Sequence, residues 1–246
     1  MSRGMVHLRW PKPNLAWLVL DNPEASNAMS INMMDQLVQH CHEICSQSAD
    51  VAVISAEQAK VFCAGGDLQD VRDHLCHKEA AEAMHEKMKA ALSSFRTENI
   101  FCIVAQEGPA VGGGAELTTY GDFVVAAEKS YIRFVHSRLG VSPGWGGAMR
   151  LIEKIGRHAA RQVLVGARKY YTEEGLRIQL IDQVVPAREV LPVAMELAER
   201  IATFPIAKRK IMSFCQHPSQ QREKELFLSL WGEEDHLKAM GFKKNT

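Results

Sequence analysis

The segment AVGGGAEL at residues 110–117 places three consecutive glycines, Gly112, Gly113 and Gly114, between a short apolar segment and a run that is compatible with a helix. A glycine inside a helix costs roughly 0.5–1 kcal/mol relative to alanine. Three in a row therefore indicate either a turn that other residues cannot adopt or the close approach of another group to the backbone. We predict a sharp strand-to-helix turn here.

A second glycine turn occurs in CAGGDL at residues 63–68, soon after the apolar segment DVAVISA. A helix that begins at such a turn presents unpaired N–H groups and a positive dipole end, so both turns favour negative charge. Neither turn has the G-x-G-x-x-G pattern of a dinucleotide site or the pattern of a P-loop. Two interpretations stay open on spacing alone: tight structural turns, or paired N–H donors that hold an oxyanion formed during a reaction.

Strand-like and helix-like segments alternate around these turns, which implies an α/β fold with parallel strands and right-handed helical crossovers. Ser30 predicts the N-cap of a helix through INMMDQLVQHCHEIC. Beyond Pro143 the pattern becomes nearly continuous helix. We therefore expect a core over residues 1–190 and an all-helical region over residues 191–246. The predicted strands are VHLRW, LAWLVLD, DVAVISA and IFCIVA.

The composition excludes several classes of partner. Lys+Arg and Asp+Glu both number 29 among 246 residues, so no net charge favours nucleic acid or an anionic membrane. The longest apolar runs are strand-sized, well below the ~20 residues that cross a bilayer. The six cysteines show no paired C-x-x-C spacing, and the start of the chain lacks the apolar region of a signal peptide, which predicts a cytoplasmic protein with free thiols. The clusters HCHEIC and HLCH lack zinc-site spacing, so we expect no metal.

Four segments in this order resemble the crotonase (enoyl-CoA hydratase/isomerase) superfamily over almost the whole chain: FCAGGDL, GPAVGGGAEL, RLGVSPGWGGAMRL and GLRIQLIDQVV. The resemblance implies a spiral of ββα units with C-terminal helices that cap it and join subunits, assembled as a homotrimer or as a hexamer made of two trimers. It also implies an acyl-CoA thioester substrate. Coenzyme A is then part of the substrate, and no separate cofactor is expected.

The resemblance further implies an oxyanion hole of two backbone N–H groups that stabilises a thioester enolate. Carried over residue by residue, the donors are Gly66 and Gly113. The absence of a side chain at Gly113 then lets a thioester oxygen approach its N–H to within roughly 3 Å. The backbone that would hold the adenine end of coenzyme A matches Ala64, Asp67 and Leu68.

Two glutamates flank the substrate in the hydratase branch of this family. The first matches Glu116, but the second position, four residues before Gly140, is His136. Hydration needs a water held between two carboxylates, so this change argues against an efficient hydratase. The run from GGGAEL to IEKIG, with the late LWG, is most similar to the ethylmalonyl-CoA and methylmalonyl-CoA decarboxylase branch, in which histidine also stands at that position.

The resemblance therefore predicts an acyl-CoA lyase that decarboxylates a short 2-alkylmalonyl-CoA, methylmalonyl-CoA or ethylmalonyl-CoA. An enoyl-CoA hydratase/isomerase and a non-catalytic acyl-CoA-binding protein remain alternatives.

The roles of the individual side chains stay open at this point. Glu116 either stays protonated and donates the proton, or points elsewhere and orients a neighbour. His136 either is cationic toward the substrate carboxylate or is neutral and donates a hydrogen bond. Trp145, in an expected exposed loop, either fills the core or forms a wall of the acyl pocket. The basic run KRK at residues 208–210 predicts a solvated face, with CoA phosphate contacts as the alternative.

Overall fold

A computed structural model of the protein describes residues 4–56, 60–203 and 205–241. The strands in these residues are, in chain order, β1 (Met5–Lys12), β2 (Leu15–Asp21), β3 (Val51–Ala56), β4 (Phe101–Gln106), β5 (Ala110–Val111), β6 (Phe123–Ala127), β7 (Tyr131–Arg133), β8 (Tyr170–Tyr171) and β9 (Gln183–Val185). The α-helices are α1 (Ile31–Ser46), α2 (Leu68–His74), α3 (Lys78–Thr97), α4 (Gly113–Thr119), α5 (Gly147–Gly166), α6 (Thr172–Arg177), α7 (Val190–Ile201), α8 (Pro205–Gln216), α9 (Gln220–Leu228) and α10 (Glu234–Ala239).

The strands form a six-stranded sheet of order β1-β2-β3-β4-β6-β9 and a small sheet of order β5-β7-β8. In the large sheet β1 is antiparallel to β2, and all later neighbours are parallel, as the alternating pattern predicts. The four predicted strands are confirmed. The expectation of nearly continuous helix beyond Pro143 is wrong at β8 and β9, because these short strands depend on pairing with β7 and β6.

Ser30 caps α1 as predicted: its hydroxyl accepts a hydrogen bond from the N–H of Met33 at 3.2 Å. The apolar face of α1 packs with α3 and α4 into the larger core cluster on one side of the six-stranded sheet. On the other side, α7 forms a separate apolar cluster with the sheet. The sheet is therefore covered on both faces, as a mostly parallel sheet requires.

The predicted division of the chain near residue 190 falls at the start of α7. Val190, Ala194 and Ala198 are fully buried against the sheet, so the helical region after residue 190 begins with an element of the core. The division into two functional units stays a prediction.

Lys210 of the basic run at residues 208–210 is exposed as predicted, but Lys208 and Arg209 are bound to other parts of the protein. The Lys208 ammonium donates to the carbonyls of Arg200 and Ile201 at the end of α7, both at 2.7 Å. The Arg209 guanidinium pairs with Asp50 at the start of β3. Their head groups therefore attach α8 to the sheet and to α7, because the free carbonyls at the end of a helix attract cations.

No α-helix in the described residues combines the length and the apolar character needed to cross a membrane.

Candidate active site

The two glycine turns lie side by side where the chain leaves β3 and β4. The N–H of Val111 donates to the carbonyl of Cys63 at 2.9 Å, and a parallel bridge joins Cys63 to Ala110. A Cβ built on Gly65 would lie 3.1 Å from the nitrogen of Gly113. The backbone pairing thus places the predicted donor of the second turn next to the first turn.

Both predicted oxyanion donors have N–H groups that no hydrogen bond within the described residues uses. Gly113 is the first residue of α4, so its N–H has no carbonyl in the preceding turn of the helix. On either side of the Gly66 N–H, the backbone pairs with Met29: the Gly65 carbonyl accepts from its N–H at 2.7 Å, and the Asp67 N–H donates to its carbonyl at 2.9 Å. The two adjacent turns therefore each carry one N–H group without a partner in the described residues.

Each of the three consecutive glycines has its own structural reason. Gly112 has φ +56° and ψ −123°, a conformation that residues with a side chain rarely adopt. A Cβ on Gly113 would overlap the indole ring of Trp145, and a Cβ on Gly114 would overlap the carbonyl oxygen of Cys63. The expected reason for Gly113, room for an approaching oxygen, is thus incomplete, because a protein side chain already occupies the space of its missing Cβ.

The residues predicted to hold coenzyme A lie at the open start of α2. Ala64 is exposed, and Leu68 has 71% of its surface exposed. Asp67 is buried instead, and its carboxylate caps α2 by accepting hydrogen bonds from the N–H groups of Gln69 at 2.8 Å and Asp70 at 3.2 Å. Asp67 therefore shapes the turn with its side chain, and only its backbone is left for a ligand.

The Glu116 side chain projects from the first turn of α4 and is 1% exposed. Its Oε1 accepts a hydrogen bond from the N–H of Gly144 at 2.9 Å, and its Oε2 accepts from the N–H groups of Trp145 at 2.8 Å and Gly147 at 2.9 Å. The carboxylate thus binds the turn that precedes α5 and the first residue of that helix. The fixed backbone donors compensate for the burial of the charge.

The other predicted catalytic residue, His136, begins a 3-10 turn that follows β7. Its Nε2 lies 3.2 Å from Oε1 of Glu116. Its Nδ1 is buried and has no hydrogen-bond partner in the described part of the chain. The structure therefore brings the two residues into direct contact with each other, where the sequence predicted only that both flank the substrate.

Trp145 is 3% exposed, so the expectation of an exposed loop position is wrong. Its ring covers Gly113, its N–H donates to Glu116, and its carbonyl accepts a hydrogen bond from the hydroxyl of Tyr120 at 2.6 Å. Burial raises the pKa of Tyr120 to about 12, which keeps this hydroxyl a donor. The residues that contact Trp145 lie on one face of α4 and at its C-terminal end.

Sequence reasoning missed two residues that support this turn. Tyr120 follows Glu116 by four positions and Gly113 by seven, a helical spacing that could have predicted their shared face. Nδ1 of His85 in α3 lies 2.9 Å from the carbonyl oxygen of Gly144, and no local sequence pattern predicts that contact.

The cysteine beside the first turn is not a nucleophile. Burial raises the pKa of Cys63 to about 12, so it stays a thiol near neutral pH. In residues 4–56, 60–203 and 205–241, no group of three or more His, Cys, Asp or Glu side chains is arranged to hold a metal ion. The chemically useful groups at this site are therefore backbone N–H donors, one carboxylate and one imidazole.

Comparison with known proteins gives consistent results. Residues 12–232 match the family described as Enoyl-CoA hydratase/isomerase. Ethylmalonyl-CoA decarboxylase from Rattus norvegicus is 34% identical over 98% of this chain and 84% of its own length. The protein of the same name from Homo sapiens is 30% identical over 98% of this chain and 81% of its own length.

Solved structures extend the likeness to the fold. The enoyl-CoA hydratase from Bacillus anthracis superimposes with a TM-score of 0.87 at 25% identity, over 96% of this chain and 94% of that one. The α/β core, the paired glycine turns and the C-terminal helices thus occur together in this chain. The names of its relatives describe enzymes that act on acyl-CoA thioesters. We conclude that the chain belongs to the enoyl-CoA hydratase/isomerase family, the crotonase superfamily, as an enzyme related to its ethylmalonyl-CoA decarboxylases.

Proposed function

We propose that the protein decarboxylates a short 2-alkylmalonyl-CoA, methylmalonyl-CoA or ethylmalonyl-CoA, through a thioester enolate. The observation that carries the proposal is the contact between Glu116 and His136 at 3.2 Å. Histidine stands where hydration would need a second carboxylate, and the carboxylate that remains already binds three backbone N–H groups. A water held between two carboxylates has no place in this arrangement. The names of the similar relatives favour the same reaction.

The reaction needs a group that accepts electrons and a source of one proton. The bond between C2 and the free carboxylate breaks, CO2 leaves, and the electron pair moves onto the thioester oxygen. The N–H groups of Gly66 and Gly113 hold that oxygen, and one such donor typically contributes about 2.7–4 kcal/mol to the transition state. C2 then takes up one proton that originates from the solvent. This balance requires no metal, biotin or nucleotide.

The substrate would lie between an open surface and a closed wall. At the open end, the backbone of Ala64, Asp67 and Leu68 holds the adenine end of coenzyme A, and the exposed Leu68 side chain offers apolar surface to it. At the closed end, the ring of Trp145 beside Gly113 limits the room next to C2. A wall of this kind accepts a short alkyl group and keeps water away from the enolate.

We also propose that the protein is a homotrimer or a hexamer. The C-terminal helices and the turns beside them carry large apolar side chains that are exposed in one chain, and association would bury them. These side chains are Ile206, Ile211, Phe227, Leu228, Trp231 and Met240. Sedimentation analysis of the purified protein tests this, and a monomer at micromolar concentration would contradict it.

A direct test of the reaction uses methylmalonyl-CoA and ethylmalonyl-CoA in heavy water with EDTA present. We expect CO2 and an acyl-CoA product that carries one solvent deuterium at C2, as measured by mass spectrometry. Binding of either thioester without release of CO2 would favour a non-catalytic acyl-CoA-binding protein.

The second candidate is an enoyl-CoA hydratase, which the structural likeness to the Bacillus anthracis enzyme favours. Under the decarboxylase proposal, crotonyl-CoA is hydrated slowly. The substitution His136→Glu restores a second carboxylate, so it should raise hydration and lower decarboxylation. Fast hydration by the unmodified protein, with no release of CO2 from the malonyl thioesters, would establish the hydratase instead.

A further inference from the structure

The Glu116 carboxylate has at most one position left to accept a hydrogen bond from a substrate. A carboxylate offers about four lone-pair positions. The N–H groups of Gly144, Trp145 and Gly147 use three of them, and Nε2 of His136 faces Oε1, which Gly144 also binds. The remaining position is on Oε1, beside which Nε2 of His136 lies at 3.2 Å. The His136 ring therefore obstructs direct proton exchange between Glu116 and a substrate.

The surroundings of His136 determine which ring nitrogen carries the proton. Oε1 of Glu116 lies 3.2 Å from Nε2, so the negative charge of the carboxylate stabilises a proton on Nε2 relative to a lone pair there. Nδ1 is buried and has no partner among the described residues in either tautomer, so it does not oppose this preference. The contact with Glu116 therefore favours the tautomer with the proton on Nε2.

The same ring is also the accessible member of the pair. The His136 side chain is 11% exposed and that of Glu116 is 1% exposed. Nδ1 is closed to solvent, so the exposed part of the side chain lies on its other atoms. A ligand therefore meets the imidazole before it meets the carboxylate.

From these contacts we infer that Glu116 is a positioning residue, which holds His136 in the Nε2–H tautomer and presents that N–H to the acyl group of the substrate. This assignment rests on the proposed function for the identity of the acyl group. In a malonyl thioester the Nε2–H donates to the free carboxylate, and the hydrogen bond orients the C2–carboxylate bond for cleavage. Glu116 acts through His136 and through the turn that carries Trp145.

The substitution Glu116→Gln separates these roles, because an amide has one acceptor and one donor end. The N–H groups of Trp145 and Gly147 cannot change their polarity, so the amide oxygen should face them. The amide NH2 then faces both the N–H of Gly144 and Nε2 of His136, and its partly positive hydrogens favour a bare Nε2 with the proton on Nδ1. We therefore expect the variant to switch the tautomer of His136.

The test is nitrogen-15 NMR of the full chain labelled in histidine, without substrate. His136→Asn identifies the His136 signals by their loss. The unmodified protein should show a protonated Nε2 and a bare Nδ1, and Glu116→Gln should show the reverse. Tyr120→Phe is the matched control, since it removes the hydrogen bonds of the Tyr120 hydroxyl without changing Glu116 or His136, and it should keep the original tautomer.

Kinetics supply the second readout. In Glu116→Gln we expect kcat for decarboxylation to fall by on the order of 10²–10³-fold, as for loss of a positioned donor, with a much smaller change in KM. If the malonyl thioesters do not react, the rate of deuterium exchange at C2 of butyryl-CoA is measured instead. Failure of the proposed function can then be distinguished from failure of this inference. A protonated Nδ1 in the unmodified protein overturns the inference, even if the variant does not fold. Retention of the original tautomer in a folded Glu116→Gln variant overturns it as well.

Discussion

The helices α2 and α4 follow the two glycine turns and each contains seven residues, but their environments are opposite. Every residue of α4 is buried, whereas α2 has no buried residue. A side-chain cap, Asp67, stabilises the start of α2, and α4 begins at glycines without one. Two similar glycine-rich sequences therefore precede helices that are stabilised differently: burial in the core stabilises α4, and the Asp67 cap stabilises α2.

This difference suggests a division of work between the two proposed oxyanion donors. The N–H of Gly113 belongs to a helix that Trp145, Glu116 and Tyr120 fix to the turn before α5. The N–H of Gly66 precedes a helix with exposed apolar side chains, where bulky ligands can bind without opening the core. A donor in a rigid environment preserves catalytic geometry, and a donor beside an open surface admits the substrate.

The largest expected effect is that of removing the Trp145 ring. The substitution Trp145→Ala should lower the free energy of unfolding by about 3–5 kcal/mol, because it leaves a cavity beside α4. Leu68→Ala on α2 is the matched control, and it should change stability by no more than about 0.5 kcal/mol. Urea unfolding followed by circular dichroism measures both. Equal losses in the two variants would remove the distinction between the helices.

A smaller effect is expected when a methyl group is added at each donor. Gly113→Ala should lower the free energy of unfolding by about 1–3 kcal/mol, since the new Cβ overlaps the Trp145 ring. Gly66→Ala should be within about 0.5 kcal/mol of the unmodified protein, because its Cβ would lie 3.6 Å from Val71 and 3.8 Å from Met34. The same unfolding measurement applies, and a destabilised Gly66→Ala variant would contradict the open environment of the first turn.

The stability contributed by a buried glutamate between the ends of β3 and β4 should depend on pH. Glu107, just after β4, accepts a hydrogen bond from the N–H of Ala56 at the end of β3 at 3.3 Å. Burial raises the pKa of Glu107 to about 7 from its ordinary value of 4.5. Folding thus favours the protonated form, so the stability from this group is fully present below about pH 4.5 and is lost as pH rises toward 7.

The expected loss across this window is at most about 3 kcal/mol, at about 1.4 kcal/mol for each pKa unit. Glu107→Gln should flatten that part of the dependence, so the difference in unfolding free energy between the two proteins should itself vary with pH. A difference that stays constant from about pH 5 to pH 8 would show that Glu107 has the same pKa in the folded and unfolded chains.

Much of the fold could be predicted from local patterns. The apolar strands, the Ser30 cap and the two glycine turns each depend on residues within a few positions of one another, and the structure confirms them. The order of the motifs was also sufficient to suggest the family that the comparisons establish. The sequence alone therefore determined the architecture and the location of the candidate site.

Tertiary structure decided how the site is built. Glu116 meets His136 and the turn at Gly144 only because α4, the segment after β7 and the start of α5 converge, and no local preference encodes contacts across such separations. The burial of Trp145 has the same origin, since its ring needs the gap left by Gly113. Backbone preference is local and therefore readable in the sequence. The contacts among side chains from distant segments depend on how helices and strands pack, and packing exists only in the folded chain.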